Sequence, residues 1–197
     1  MIEALLIEQF PSAESLLISE NTTYDFKIKN LKPAGKNFQI LYTDGMHKYT
    51  QPVNEKCAEF ERIELYFCLP SYWNLKDNNW PLLWLNKLAE LPQKKSTWYG
   101  PGDTIPAGSP PEKLSPDFAA NHFMLVQPIE LEHELTTNFN SELGVKFFGI
   151  IPLFQQELDY KIRNSATVLT SRLTKKTQTE KLDTFRTPVC RKRVLGF

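Results

Sequence analysis

Three histidines, His47, His122 and His133, are the first side chains to test for metal or acid–base chemistry. None stands at metal-ligand spacing from another histidine or a cysteine. His133-Glu134 begins like the HExxH zinc motif, but Thr137 stands where the second histidine is required. Because zinc needs three or four converging ligands, the sequence predicts no metal site.

The cysteines Cys57, Cys68 and Cys190 are odd in number and contain no CxxC pair, so neither a disulfide framework nor a zinc site is indicated. No Gly-x-Ser-x-Gly elbow announces a hydrolase nucleophile. We therefore predict no catalytic residues. A hydrolase that the motifs do not reveal stays an alternative, and it requires a nucleophile within hydrogen-bond reach of His47 or His122.

The segment Gly100-Pro101-Gly102 resembles the start of a phosphate-binding loop, but Ile105 stands where a dinucleotide fingerprint needs its third glycine, and no Gly-Lys-Ser/Thr follows. We predict no cofactor. Trp98, Tyr99 and Asp103 flank this turn and leave two interpretations open. They either fasten the loop to the core or form a rigid aromatic and acidic anchor for a protein partner, since aromatic side chains dominate interface energetics.

Charge is distributed unevenly along a chain of zero formal net charge. Residues 174–197 carry seven basic side chains against Glu180 and Asp183, which leaves the rest of the chain acidic. An acidic body fits a basic protein partner and argues against nucleic acid. The run Arg191-Lys192-Arg193 is short and better explained as a solvated end. We divide the chain into a domain over 1–175 and a basic C-terminal tail over 176–197.

The first eight residues are acidic with a short apolar run, unlike a secretory signal, and no segment has the length of a membrane span. These features predict a cytoplasmic protein without membrane attachment.

Hydrophobic spacing predicts two helices, one between Asn79 and Pro92 and one continuous from Leu158 to Leu173, and a shorter helix beginning at Ser12. Residues 92–117 read as a long ordered loop rich in proline and glycine. The tail is expected to be flexible or to pack only through Phe185, Leu195 and Phe197. Alternation and apolar runs predict strands over 24–28, 38–43, 62–69, 123–127 and 145–151, with 46–50 as the return arm of a hairpin. This order favours an α+β fold, a mixed sheet with flanking helices.

An ordered set of short segments resembles the Suppressor of Fused (SUFU) family over about residues 1–175. They are Leu41-Tyr42-Thr43-Asp44-Gly45-Met46, Arg62-Ile63-Glu64-Leu65-Tyr66-Phe67-Cys68-Leu69-Pro70, Trp80-Pro81-Leu82, Thr97-Trp98-Tyr99-Gly100-Pro101-Gly102-Asp103-Thr104-Ile105-Pro106 and Phe147-Phe148-Gly149-Ile150-Ile151-Pro152-Leu153. The resemblance implies a mixed sheet with flanking helices and no catalytic residues.

The resemblance also implies function. Animal members sequester a transcription factor, and similar stand-alone bacterial domains are associated with toxin systems as immunity proteins. In the animal proteins the acid matching Asp103 takes part in partner binding. We therefore predict a non-catalytic binding protein, an immunity protein for a cognate toxin, with partner-binding residues Trp98, Tyr99, Asp103 and Thr104. A general regulatory interaction module is the alternative.

Overall fold

A seven-stranded mixed sheet organises the residues that this computed structural model describes, 2–136 and 144–190. The strands lie in the order β1-β2-β3-β4-β7-β6-β5; β4 and β7 are parallel, and every other neighbouring pair is antiparallel. Their bounds are β1 Glu14–Asn21, β2 Phe26–Lys32, β3 Phe38–Asp44, β4 Ile63–Pro70, β5 Thr104–Pro106, β6 His122–Val126 and β7 Lys146–Leu153.

Strand β4 occupies the centre of this sheet, as its two apolar faces predict. Leu65 and Phe67 pack into the core on one face, while Tyr66 and Cys68 pack into the core on the other. All eight residues of the strand are buried. A strand with both faces covered requires helices or loops on both sides of the sheet.

Within residues 2–136 and 144–190, five helices contribute to that cover. Helix α2 packs on one face of the sheet, and α1, α3 and α5 contribute to the clusters on the other face. The predicted α+β class, a mixed sheet with flanking helices, is thus confirmed. The bounds are α1 Ile2–Gln9, α2 Trp80–Lys95, α3 Glu132–Thr136, α4 Gln155–Arg163 and α5 Ala166–Thr174.

Two predictions near the N-terminus are wrong. The segment after Ser12 is strand β1 instead of a helix, because it pairs along its length with β2. The return arm expected over residues 46–50 is a 3-10 turn, Met46–Lys48. Strand β3 already has β2 and β4 as its neighbours, so no third strand can pair beside it.

The end of α2 also differs from expectation, since the helix continues through Pro92 to Lys95. Pro92 has no N–H to donate to the carbonyl of Leu88, four residues earlier. The Tyr99 hydroxyl donates to that Leu88 oxygen at 3.1 Å and so replaces the missing bond. A tertiary contact that local spacing does not reveal keeps this turn helical.

The predicted helix from Leu158 to Leu173 is divided into α4 and α5. Ser165 begins the second helix, because its side chain accepts a hydrogen bond from the Val168 amide at 3.2 Å. Ile162, expected on the buried stripe, is 73% exposed, whereas Leu169 and Leu173 are buried as predicted.

The C-terminal segment, residues 176–190, fills a split in the sheet. Strands β4 and β7 pair from Ile63 to Tyr66. Farther along β4, Lys181 takes the bridging position beside Cys68, and the Leu182 amide donates to the Cys68 carbonyl at 2.8 Å. The segment is therefore fastened to the central strand of the sheet.

The buried side chain of Glu180 also fastens the C-terminal segment to the domain. One of its carboxylate oxygens accepts hydrogen bonds from the amides of Ile129, Glu130 and Leu131, at 2.9, 2.9 and 3.2 Å, and from the Tyr66 hydroxyl at 3.1 Å. These four donors stabilise a carboxylate that is almost fully buried.

The contacts expected for the tail are thus corrected. Phe185 is 86% exposed, while Leu182 and Glu180 are buried. Leu195 and Phe197 lie outside the described residues. The domain boundary at residue 175 stays a prediction.

Candidate protein-binding surface

The loop between α2 and β6 carries the residues predicted to bind a partner, and Tyr99 is its buried anchor. The Tyr99 amide donates to the side-chain oxygen of Gln51 at 2.9 Å, and its hydroxyl donates to the Leu88 carbonyl inside α2. Burial raises the pKa of the Tyr99 phenol, so the hydroxyl stays a donor. At this position the interpretation of a loop fastened to the core fits the structure.

Asp103 lies on the surface of the same loop. One of its carboxylate oxygens accepts a hydrogen bond from the Gly100 amide at 2.8 Å, which closes the turn. The half-buried Trp98 ring lies against Gly100, where an added Cβ would be 2.8 Å from the ring. The turn is therefore rigid and presents Asp103 and part of Trp98 outward.

Gly102 brings this turn against helix α5. Its φ is +88°, and an added Cβ would lie 2.6 Å from the Cβ of Ala166. Both the backbone conformation and the close approach require glycine here. Thr104 makes a second link, because its hydroxyl oxygen accepts from the Lys161 ammonium of α4 at 3.3 Å.

A surface groove of about 760 Å³ opens between the turn and α5. We call it the loop groove. Its walls combine apolar side chains such as Val126 and Ile129 with helix hydroxyls such as Thr170, and the charged Glu132 and Lys175 also line it. The groove joins segments far apart in the chain. Its only sequence signal is the row of small hydroxyl residues at helical spacing on α5.

None of the four residues predicted to bind a partner lines the loop groove, although their loop supplies Pro101 and Gly102 to it. Trp98 and Thr104 are half-buried and Asp103 is exposed, whereas Tyr99 is inside the core. Their assignment to partner binding stays a prediction.

The histidines named for a hydrolase contact other groups. The His47 ring nitrogen Nδ1 hydrogen-bonds to the buried carboxylate of Glu64, which also accepts from Thr43 and from the Gly45 amide. The His122 Nδ1 lies 2.9 Å from the Asn121 side-chain oxygen. Among the described residues, neither histidine is hydrogen-bonded to a thiol or a serine.

Two of the three thiols, those of Cys68 and Cys190, are buried and unsuited to nucleophilic catalysis. Burial raises the pKa of Cys68 well above its usual range, and burial also raises that of Cys190, so both thiols stay protonated. Over residues 2–136 and 144–190, no group of three His, Cys, Asp or Glu side chains converges as metal ligands would. None of the helices in this part of the chain is both long and apolar enough to span a membrane.

Comparisons with known proteins agree with this architecture. A SUFU homologue from Neisseria gonorrhoeae has a similar structure, with a TM-score of 0.69, 13% identity, and coverage of 98% of this chain and 96% of that chain. A chain from the Sufu–Fu complex gives a TM-score of 0.60 at 15% identity, covering 95% of this chain and 90% of the other. No curated protein sequence matches significantly.

At these identities the structural likeness shows the fold alone. The family model described as Suppressor of fused protein (SUFU) matches residues 23–187, which include most of the C-terminal segment. The chain therefore belongs to the Suppressor of fused family.

Proposed function

We propose that this chain binds a protein partner without catalysis, as a cytoplasmic immunity protein that occludes a toxin. The observation that carries the proposal is the loop groove, formed where the rigid turn at Gly102–Asp103 contacts α5. A groove with apolar walls and hydrogen-bonding hydroxyls suits a protein segment. Preorganised surfaces bind with less loss of conformational entropy.

Two further observations favour a protein-binding function over a catalytic one. SUFU domains are a protein-interaction fold, and one solved relative is a complex named Sufu–Fu. In the described part of this chain, His47 and His122 are committed to Glu64 and Asn121, so the convergence that a hydrolase needs has no support there.

The Neisseria gonorrhoeae homologue shares this architecture over 96% of its own length, so the fold on which the proposal rests also occurs in a bacterial protein. Occluding a toxin requires only tight and specific contact, and no reaction.

Co-expression tests the immunity function. The gene immediately upstream is expressed from an inducible promoter with and without this chain, and growth and complex formation are measured. We expect growth arrest without this chain, rescue with it, and co-purification of the two proteins. A harmless upstream product overturns the toxin assignment. A partner that co-purifies without toxicity favours the general regulatory module.

A matched pair of variants tests the loop groove. Thr174→Trp introduces a bulky ring at an exposed position that lines the loop groove, whereas Leu83→Trp makes a comparable change at an exposed position of α2, on the other face of the sheet. We expect Thr174→Trp to abolish rescue and Leu83→Trp to retain it. Equal rescue by Thr174→Trp and Leu83→Trp, with unchanged thermal unfolding, is the result that counts against this groove.

A further inference from the structure

Basic side chains are concentrated between the second half of α4 and the residues just after α5, whereas the first half of α4 carries the acids Glu157 and Asp159. Residues 160–176 contain five basic residues and no acidic residue, in a chain whose total charges balance. Lys161 is committed to Thr104. Arg163, Arg172, Lys175 and Lys176 are exposed. This surface opposes the acidic character that the sequence assigns to the body of the chain.

A second groove of about 600 Å³ follows these charges. We call it the basic groove. Tyr160, Val168, Arg172, Lys175 and Lys176 line it. Val168 is 44% exposed, which places an apolar contact point among the cations. The combination offers both charge and a small apolar anchor to a partner.

The basic side chains of this groove differ in the contacts that they already make within the chain. Arg172 donates to the Val189 carbonyl at 3.0 Å and lies over the Tyr160 ring, 5.0 Å from its centroid. Lys175 and Lys176 make no ion pair with any described residue. Within the described part of the chain, no ion pair has to be broken for their ammonium groups to meet an external anion.

The basic groove borders the loop groove along α5. Both grooves are lined by Thr167 and Ser171 of this helix and by Lys175, which follows it. These three side chains form a ridge between the two grooves. A segment seated in the loop groove reaches the basic groove by crossing a single helix. Any such segment would meet positive charge on one side of the ridge.

We propose that the basic groove binds an acidic, partly apolar segment of the protein partner. This inference rests on the proposed function, and it specifies the chemistry of the partner. Carboxylates complement Lys175 and Lys176, and a small aliphatic side chain contacts Val168. Nucleic acid fits less well because Arg172 already covers the lining aromatic, Tyr160, which removes a stacking platform. A membrane surface would require a larger apolar face than Val168 provides.

The test uses a short fluorescein-labelled peptide rich in glutamate with leucine anchors, and its counterpart with lysine in place of glutamate. Fluorescence anisotropy measures binding to the full chain and to the K175E/K176E double variant. The control is K94E/K95E, which reverses an equivalent exposed lysine pair in the last turn of α2. We expect salt-sensitive binding of the acidic peptide that weakens about tenfold or more in K175E/K176E only.

Several results overturn the inference. They are no binding of the acidic peptide, equal binding of the lysine counterpart, or an equal loss in K94E/K95E. Binding only of an RNA oligonucleotide or of phosphatidylserine vesicles assigns the groove to a different ligand.

The co-expression assay separates this inference from the proposed function. If K175E/K176E still neutralises the toxin and still binds the acidic peptide, the basic groove is wrong and the immunity function stands. If no toxin is found but the peptide still requires Lys175 and Lys176, the immunity function is wrong and the acidic-segment surface stands.

Discussion

The guanidinium of Arg186 binds both carboxylate oxygens of Glu157, with Nη1 2.7 Å from Oε1 and Nη2 2.8 Å from Oε2. The Glu157 side chain is fully buried and that of Arg186 is 5% exposed. The same carboxylate accepts from the Phe154 and Val189 amides, at the start of α4 and in the C-terminal segment. The pair therefore fastens that segment to the domain.

Replacing Arg186 by methionine should destabilise the fold by about 3–5 kcal/mol, because it leaves a buried carboxylate without its counter-charge. Urea unfolding followed by circular dichroism measures this loss. Lys48→Met is the control, since Lys48 pairs with Asp25 on the surface and should contribute under about 1 kcal/mol. The double variant Arg186→Met/Glu157→Gln should recover part of the loss. Equal effects of Arg186→Met and Lys48→Met would contradict a structural role.

The sequence could not predict this arrangement, because the partners of the C-terminal segment are remote. Glu157 lies 29 residues from Arg186, and Tyr66 lies 114 residues from Glu180. A local window shows only a polar, basic stretch, which is typical of a solvated tail. Burial of these charges depends on a split between β4 and β7 that strand patterns do not reveal.

Gly149 of β7 provides room for that segment. An added Cβ would lie 2.9 Å from the Cβ of Glu180 and 3.0 Å from the Tyr66 hydroxyl oxygen. Gly149→Ala should therefore destabilise the protein by about 1–3 kcal/mol through overpacking. A double-mutant cycle with Tyr66→Phe, measured by urea unfolding, checks the contact. We expect less-than-additive losses, because removing the hydroxyl relieves one close approach. Strict additivity would rule out this explanation for the glycine.

What the sequence did predict is confined to features with local causes. The two apolar faces of β4 correctly predicted a central strand. The spacing of Leu85 and Leu88 correctly predicted the buried face of α2. Continuation of α2 past Pro92 escaped prediction because its cause is the Tyr99 hydroxyl in the next loop. The loop groove escaped for the same reason, since α5 supplies one of its walls.

Variants of Tyr99 and Asp103 should distinguish a role in stability from a role in partner binding. Tyr99→Phe leaves the Leu88 carbonyl without its donor and should cost about 1–3 kcal/mol of unfolding free energy, with partner binding unchanged. Asp103→Lys replaces an exposed acid by a base and removes its hydrogen bond to the Gly100 amide; it should weaken partner binding by about tenfold or more and lower the unfolding free energy by about 1 kcal/mol. Thermal unfolding and calorimetric titration with the co-purified partner measure the two effects. The exposed Tyr72 provides the control Tyr72→Phe, which should change neither.

If Asp103→Lys leaves both the thermal unfolding and partner binding unchanged, the assignment of Asp103 to the partner surface is wrong. If Tyr99→Phe abolishes binding at full stability, Tyr99 contacts the partner directly and the loop must rearrange on binding.

Burial of His122 should make the folded protein less stable at acidic pH. Burial lowers the pKa of this imidazole, and the charge of Asp159 partly opposes that shift. The unfolded chain therefore takes up a proton below about pH 6.5 more readily than the folded chain does. The contribution of His122 is complete above that pH and is lost as the pH falls toward its lower, folded-state pKa. Urea unfolding free energies at pH 7 and pH 5 should show this loss.

Two variants isolate the effect from the other titrating groups. His122→Gln removes the titrating ring and should flatten the decline between pH 7 and pH 5. Asp159→Asn removes the charge that raises the pKa and should steepen the decline, because the folded chain then binds the proton still more weakly. A decline that is identical in the original chain and in His122→Gln would show that the buried imidazole is not its source, and the pH dependence would have to be assigned to other groups.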